Sequence, residues 1–487
     1  MTHTSGRVDQ AASVRLPRHD AHYIGGRWTQ PHGGGTTVVV DPSTEQVLAE
    51  VSLGDAADVD AAVRAAGQAF PAWSGTSPDD RAAFLRDLAT AMRDRSEELA
   101  ALIAAEVGSP ITFARGTQVG LPVQVLDGMS ELVGSFQWEH FVGPSIVVRE
   151  AAGIAGAITP WNYPLHQLTA KVAAALGAGC TVVAKPSEVA PLSALAFAEI
   201  VDHVGLPPGV FNLVNGDGPV VGEAIAGHPG IDVVSFTGSL RAGRTVMRLA
   251  AETTKKVALE LGGKSACVVL DDVDVPKVVR QAIVQALRNS GQNCSALSRL
   301  LVPYGQLQEA EQAAAEAARA VRLGHPFDPS ADMGPLVSGL QRDRVRRHVT
   351  RAVAAGARII AGGTGAPDGL DRGYFFQPTV LGDVRPEMEV AQEEIFGPVV
   401  CLIPYRDDDD AVAIANDSRY GLAGAVWSGD RDRAMAVARR MRTGRVVVNG
   451  GAFNPIAPFG GYRQSGIGRE LGRYGLEEYL EVKTLQC

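Results

Sequence analysis

Cys294 lies in the run Asn289-Ser290-Gly291-Gln292-Asn293-Cys294-Ser295, and a carboxylate stands upstream of it in Leu259-Glu260-Leu261-Gly262-Gly263-Lys264. A thiol can add to a carbonyl carbon, and a carboxylate can later activate the water that resolves the adduct. The pair offers both halves of a covalent reaction. Alone it is weak, because cysteine is among the most buried residue types and usually acts as an inert small hydrophobe. Asn162, in Thr159-Pro160-Trp161-Asn162-Tyr163-Pro164, adds an amide that can donate to a developing oxyanion. Its plain alternative is a turn residue before an aromatic and a proline.

These residues need a scaffold. From Gly153 onward, apolar strands (Ile154 to Ile158, Thr181 to Ala184, Val210 to Val214, Val233 to Phe236) alternate with helical stretches (Leu168 to Leu176, Pro191 to Val204, Val220 to Ala226, Ala242 to Ala251). That alternation predicts βαβ units and a parallel sheet covered on both faces. A second α/β set follows: strands at Ala266 to Leu270, Ser298 to Pro303 and Val399 to Ile403, helices at Pro276 to Arg288 and Gln306 to Val321. Asp58 to Ala105 has helical periodicity, and Tyr23 to Trp28 reads as a strand and turn. Two strand patterns, Gly143 to Glu150 and Leu480 to Leu485, have no obvious sheet and suggest an arm for oligomer contacts.

Ligands of such sheets sit beyond the carboxyl ends of the strands, which places Asn162 near a cleft. The second strand ends in Lys185-Pro186-Ser187-Glu188, where an acid can accept from ribose hydroxyls and repel a 2′-phosphate. NAD is favoured over NADP on that ground, although a loop salt bridge explains the same pair. The fourth strand runs into Phe236-Thr237-Gly238-Ser239, a glycine turn and helix start suited to phosphate. Its spacing approximates a P-loop, but Arg244 stands where that motif has lysine. Composition alone does not choose between a nucleoside triphosphate and a dinucleotide.

The 487 residues suggest two or three domains. A 46% hydrophobic and 20% charged composition fits a globular protein, and a net charge of −9 gives no electrostatic reason to expect nucleic acid or an anionic membrane. The first twenty residues lack an apolar core and read as a loose tail, and no run approaches a membrane span, so the expectation is a cytoplasmic protein. Five scattered cysteines imply no disulfide framework; Cys180, Cys267 and Cys401 look like core residues. Histidine spacing implies no metal.

Together the runs Pro160-Trp161-Asn162-Tyr163-Pro164, Lys185-Pro186-Ser187-Glu188, Phe236-Thr237-Gly238-Ser239, Glu260-Leu261-Gly262-Gly263-Lys264, Gly291-Gln292-Asn293-Cys294, Glu394-Ile395-Phe396-Gly397-Pro398 and Pro458-Phe459-Gly460-Gly461 make the chain resemble the NAD(P)-dependent aldehyde dehydrogenase superfamily over essentially its whole length. The resemblance implies an α/β fold with a Rossmann-type parallel-sheet cofactor domain (1–131 and 152–260), a second α/β catalytic domain (261–465) and a small β oligomerisation arm (132–151 and 474–487), in a homodimer or homotetramer. It implies attack by Cys294 on an aldehyde, with Asn162 and the Cys294 amide holding the oxyanion, hydride transfer to NAD, and hydrolysis of the thioester by water that Glu260 activates. Lys171 and Glu470 match positions that relay protons. The same resemblance puts Thr159, Pro160, Trp161, Lys185, Glu188, Gly218, Phe236, Gly238, Ser239, Leu261, Glu394 and Phe396 around the cofactor.

By resemblance Tyr163, His166, Ala170, Arg288, Asn293, Ser295, Phe453 and Phe459 line the aldehyde tunnel. Arg288, six residues before the thiol, resembles the arginine that holds a substrate carboxylate in succinic semialdehyde dehydrogenases, while the second arginine of that clamp would fall at Ala170. The expected substrate is a semialdehyde or an aromatic aldehyde. The competing readings are a coenzyme A-acylating semialdehyde dehydrogenase, which typically lacks a carboxylate at the Glu260 position, a non-catalytic binding protein on the same fold, and, weakest, a P-loop nucleotide hydrolase.

Overall fold

The computed structural model describes residues 14–487, so the tail expected over the first twenty residues lies mostly outside the described part. An eight-stranded sheet runs in the order Gly466–Ile467, Lys256–Glu260, Val233–Thr237, Ile154–Ile158, Thr181–Lys185, Phe211–Leu213, His22–Ile24, Arg27–Thr29. The five strands from Lys256–Glu260 to Phe211–Leu213 are parallel, and the outer ones are antiparallel.

The three strands Ile154–Ile158, Thr181–Lys185 and Val233–Thr237 are buried throughout because helices cover both faces. Period-2 alternation sorts their side chains. Ala155, Ala157, Val182 and Ala184 pack with Leu168, Val172 and Leu195, while Ile154, Ile158, Val183 and Val234 pack with Val59, Val63 and Val246 on the other side. Each valine, leucine or isoleucine among them contributes about 2 kcal/mol by leaving water, and each alanine less.

Chain order matters for function. From Ile154–Ile158 the chain builds outward to one side through Thr181–Lys185 and Phe211–Leu213, then returns to place Val233–Thr237 on the other side. The crossovers diverge at this switch point, leaving a crevice beyond the carboxyl ends of Ile154–Ile158 and Val233–Thr237.

The second sheet has seven strands in the order Arg358–Ala361, Thr379–Gly382, Val399–Tyr405, Arg299–Pro303, Ala266–Val269, Ala423–Trp427, Arg445–Val448, parallel except at the Arg358–Ala361 edge. The two strands that lacked a partner in the sequence pair with each other: Ser145–Ala151 lies between Leu480–Gln486 and Glu139–Val142 in a separate antiparallel sheet. Phe141, Val142 and Val482 on it are exposed. A hairpin, Gly35–Asp41 with Gln46–Leu53, forms a further small sheet.

Other expectations shift locally. The helix expected at Val220 to Ala226 opens with a π-helical turn, Gly218–Gly222, before Glu223–Gly227. The helix expected to reach Arg288 stops at Ala286, and a tight turn, Arg288–Gly291, follows. Cys180, Cys267 and Cys401 are buried. Among the described residues no helix is long and apolar enough to cross a membrane, and no cluster of three or more His, Cys, Asp or Glu suits a metal ion.

Candidate active site

The turn that carries the thiol is built from unusual backbone. Asn289, Ser290 and Gly291 all have positive φ (52°, 57° and 68°), a sequence of left-handed residues that reverses the chain after the helix Val275–Ala286. At Gly291 a Cβ would collide with the Gly397 carbonyl, so only glycine fits. Asn289 is held by what it bonds: its Nδ2 donates to the Asn162 carbonyl (2.9 Å) and to the Gln292 carbonyl (3.3 Å), and its Oδ1 accepts from Ser109 Oγ (2.6 Å). Gln118 Nε2 donates to Ser109 Oγ (3.2 Å) and to the Asn162 carbonyl (3.0 Å). Gln292 Oε1 accepts from the Val337 amide at 2.9 Å. A buried, cross-bonded network therefore locks the thiol turn to the Asn162 loop. Asn162 Nδ2 donates one hydrogen to the Gln292 carbonyl (3.1 Å) and keeps its second for another acceptor.

Cys294 is half-buried and lines two cavities at once. On one side is a cleft lined by Pro160, Trp161 and Asn162, by Thr237, Gly238 and Ser239, by Glu260, Leu261 and Gly262, and by Glu394 and Phe396. These are the strand ends at the switch point together with the loop that leads into the strand Val399–Tyr405 of the second sheet. On the other side is a tunnel of about 360 Å³ with Tyr163, His166, Arg288, Asn293, Ser295, Phe453 and Phe459 in its wall, a volume in the range of small-molecule sites. Its mouth shares Phe113, Thr117 and Arg288 with a wider cleft of about 760 Å³, which Cys294 does not line.

Glu260 ends its strand with the carboxylate buried, and neither oxygen accepts a hydrogen bond from the protein. Burial, then the charge of Glu470, hold its carboxyl well above the ordinary carboxylate range, against the opposing charges of Lys171 and Arg469. Lys171 is buried, bonded to Glu470 and, at 2.7 Å, to Thr237 Oγ1. Burial also pushes the Cys294 thiol up to about 12, with Glu394 and Glu260 adding to the shift and Arg445 opposing it. The thiol is the resting form. His166 is held down at about 4 by burial and by Lys171, so it is neutral at ordinary pH and forms a polar wall.

The cleft offers a helix start and bare glycine backbone. The helix Leu240–Ala251 starts directly after Gly238-Ser239, with Ser239 Oγ accepting from the Ala242 amide (3.3 Å), and its first amides suit a phosphate. Gly238 lies over the ring of the buried Phe236, and a Cβ at Gly262 would strike the Glu394 carboxylate, so bare backbone keeps the floor open at both positions. Glu394 Oε1 accepts from the Gly263 amide (3.1 Å), and burial raises its pKa to about 7. The Trp161 and Phe396 rings meet edge to face at 5.3 Å.

The expected site residues divide accordingly. Lys185, Glu188 and Gly218 stand apart from the thiol cleft, near the adjacent strand end: Lys185 Nζ donates to Glu188 Oε2 (3.0 Å) and to the Pro186 carbonyl (2.8 Å), and its stem passes Gly222. Thr159 is buried behind the cleft, with its amide bonded to the Lys185 carbonyl (3.0 Å). Phe236 is a core residue beneath Gly238 and does not line the cleft. Ala170, expected in the tunnel wall, is instead packed in the core, because its helix Pro164–Ala178 is buried on nearly every side. Arg288 is exposed at the tunnel mouth and Arg244 bonds Gln464 (3.3 Å), outside any phosphate loop.

Sequence reasoning passed over Ser109, Gln118, Gln341, Arg344 and Arg445. Gln341 Nε2 donates to the Phe396 carbonyl (2.7 Å) and Arg344 to the Glu394 carbonyl (2.9 Å), holding that loop over the cleft. They left no spacing signal, because their partners are distant in sequence. Arg445 did leave one: it is the single charge in the apolar strand Arg445–Val448.

Known proteins resemble this chain over nearly its whole length. The aldehyde dehydrogenase family model matches residues 28–485. The 3-succinoylsemialdehyde-pyridine dehydrogenase of a Pseudomonas species is 49% identical over 469 residues, covering 95% of this chain and 97% of its own. The crystal structure of a mutant aldehyde dehydrogenase C from Pseudomonas syringae, in complex with NAD+ and octanal, superposes with a TM-score of 0.97 at 46% identity, covering 97% of this chain and 98% of its own. Betaine aldehyde dehydrogenase from Staphylococcus aureus in complex with NAD+ gives 0.95 at 36%, covering 98% and 97%. A thiol shared by a cleft and a tunnel, on a chain matched almost end to end by these enzymes, leaves one conclusion: the protein belongs to the aldehyde dehydrogenase family.

Proposed function

We propose that the protein oxidises an aldehyde to a carboxylic acid with NAD through a thioester on Cys294. The carrying observation is that Cys294 lines both cavities, so one sulfur can face a carbonyl from the tunnel and a cofactor from the cleft. Relatives crystallised with NAD+ and with octanal support the assignment of the two cavities.

In this reading Cys294 Sγ bonds the aldehyde carbon as the thiol proton passes to solvent water in the open tunnel. Asn162 Nδ2 and the Cys294 amide donate to the oxyanion that forms. NAD bound in the cleft would supply the acceptor for the hydride that the adduct releases on becoming a thioester. Gly238, Ser239 and the start of the helix Leu240–Ala251 would hold the pyrophosphate, Glu394 the nicotinamide ribose, and Phe396 with Trp161 and Leu261 would enclose the ring. Glu260, with two unengaged oxygens, takes a proton from water as that water attacks the thioester. Lys171 and Glu470 lie next in line behind Glu260 and can pass the proton inward.

The substrate reading follows the tunnel wall. Phe453, Phe459 and Tyr163 suit an aromatic or alkyl body, and a wall that also carries guanidinium groups suits an acid or keto group. The Pseudomonas relative named for 3-succinoylsemialdehyde-pyridine supports a semialdehyde carrying such a group. Purified protein with NAD should show aldehyde-dependent absorbance of reduced cofactor without coenzyme A. Turnover only with coenzyme A would replace hydrolysis by acyl transfer, and no turnover with any aldehyde would end the reading.

Two further outcomes test the assignment. Protonated Glu260 cannot accept a proton, so kcat should rise with pH along a one-proton limb well above pH 4.5, and the residual rate of Glu260→Gln should lack that limb. His166, neutral above about 4, contributes none. At the adenosine end, Glu188→Ser removes a negative charge and frees Lys185. The kcat/KM ratio of NADP to NAD should then rise by about tenfold, the effect of about 1.4 kcal/mol.

A further inference from the structure

Arg445 opens the strand Arg445–Val448 at the edge of the second sheet and lines the tunnel together with Cys294. Two rings hold its guanidinium: Cζ lies 5.2 Å from the centroid of Phe453 and 5.7 Å from that of Phe459. Among the described residues its side chain makes one hydrogen bond, a long one from Nη2 to Ser295 Oγ at 3.4 Å, and its buried Nε donates to nothing. Among the described residues no carboxylate pairs with it; the acid in the tunnel wall, Glu470, is taken by Lys171. Ser295 Oγ in turn lies 3.1 Å from Asn293 Oδ1, so that short polar chain is already committed.

A guanidinium drawn out of water with unmet donors is unfavourable unless an acceptor arrives. The rings beside it give its plane a fixed orientation but accept no strong hydrogen bond. Its position beside Ser295, the neighbour of the reacting thiol, puts the unmet donors near the inner part of the tunnel, whereas Arg288 is exposed at the mouth.

We propose that Arg445 is a specificity-determining residue that donates to an sp² oxygen, keto or carboxylate, carried by the substrate a short distance beyond the reacting aldehyde. This rests on the aldehyde-oxidising reading of the site and assigns the recognition of the second oxygen to Arg445 in place of Arg288. A planar fork suits either acceptor, and a carboxylate would take two parallel bonds.

Three probes separate the cases: succinic semialdehyde carries a carboxylate, a 4-aryl-4-oxobutanal carries a neutral ketone, and hexanal carries neither. In Arg445→Met, kcat/KM for at least one oxygenated probe should fall about 30- to 100-fold relative to that for hexanal, mostly through KM. The probe that loses more identifies the oxygen being read. Arg445→Lys should restore part of the loss with the carboxylate, since it keeps the charge without the fork, and Arg288→Ala should leave the preference largely in place.

Equal loss on all three probes, accompanied by a shifted pH dependence of Cys294 alkylation by iodoacetamide, would assign Arg445 to the thiolate and overturn the proposal. So would no change on any of them. If Arg445→Met does not fold, Arg445→Gln and Arg445→Lys carry the comparison. A wild type inactive on all three, hexanal included, counts instead against aldehyde oxidation itself.

Discussion

Glu260→Gln protein mixed with NAD and an aldehyde should release close to one equivalent of reduced cofactor per site and then nearly stop. Glutamine keeps the size and burial of the side chain, so the thiol turn, the oxyanion donors and the cleft are undisturbed. What it loses is the ability to take a proton from water, a contribution of about 10²- to 10⁴-fold. The two halves of the reaction thereby come apart. Formation of the thioester proceeds, hydrolysis stalls, and intact-protein mass spectrometry should find the acyl group on Cys294. The removed carboxylate is also the group that burial and Glu470 hold protonated at low pH, so the wild type at acidic pH should show the same burst in weaker form. Full steady-state turnover by the variant would place the base elsewhere.

Cys294→Ala should lower turnover by about 10⁵-fold or more, the scale seen when a catalytic nucleophile is removed, while NAD binding followed by titration stays intact. The side chain is half-buried and faces two cavities, so its loss creates no sealed void, and stability should change by less than about 1 kcal/mol. The other cysteines cannot substitute. Cys180 and Cys267 are buried with thiols raised to about 11 and about 12, Cys401 is buried and raised, and Cys487 is exposed at the end of the chain. Although the resting Cys294 thiol is raised as well, it differs in lying open to both cavities. Iodoacetamide should therefore reach Cys294 and Cys487 before the other three, as peptide mapping would show.

The parts of this protein legible in its sequence are those whose causes are local. Apolar runs such as Ile154–Ile158 and Val233–Thr237 declare buried parallel strands through their composition, and Gly238-Ser239 before a helical stretch declares a turn and a cap. The thiol, the acid and the amide could be proposed as candidates because their chemistry belongs to the residue type and the family motifs around them are local runs. What bonds they make could not: the network from Ser109 through Asn289 and Gln118 to the Asn162 carbonyl joins positions up to 180 apart. The strands Ser145–Ala151 and Leu480–Gln486 were visible as strands and invisible as partners for the same reason.

Amino-acid order by itself determined the alternation of strand and helix and the covered parallel sheets, and it nominated Cys294, Glu260 and Asn162 as candidates, since periodicity and side-chain chemistry act within a few residues. Only the tertiary structure decided that Ala170 faces the core, that Arg288 stands at the mouth, and that Arg445 stands in the tunnel with donors unmet. Burial, and with it the raised carboxyl of Glu260, depends on which distant segments arrive beside a group, and no local pattern encodes that arrival.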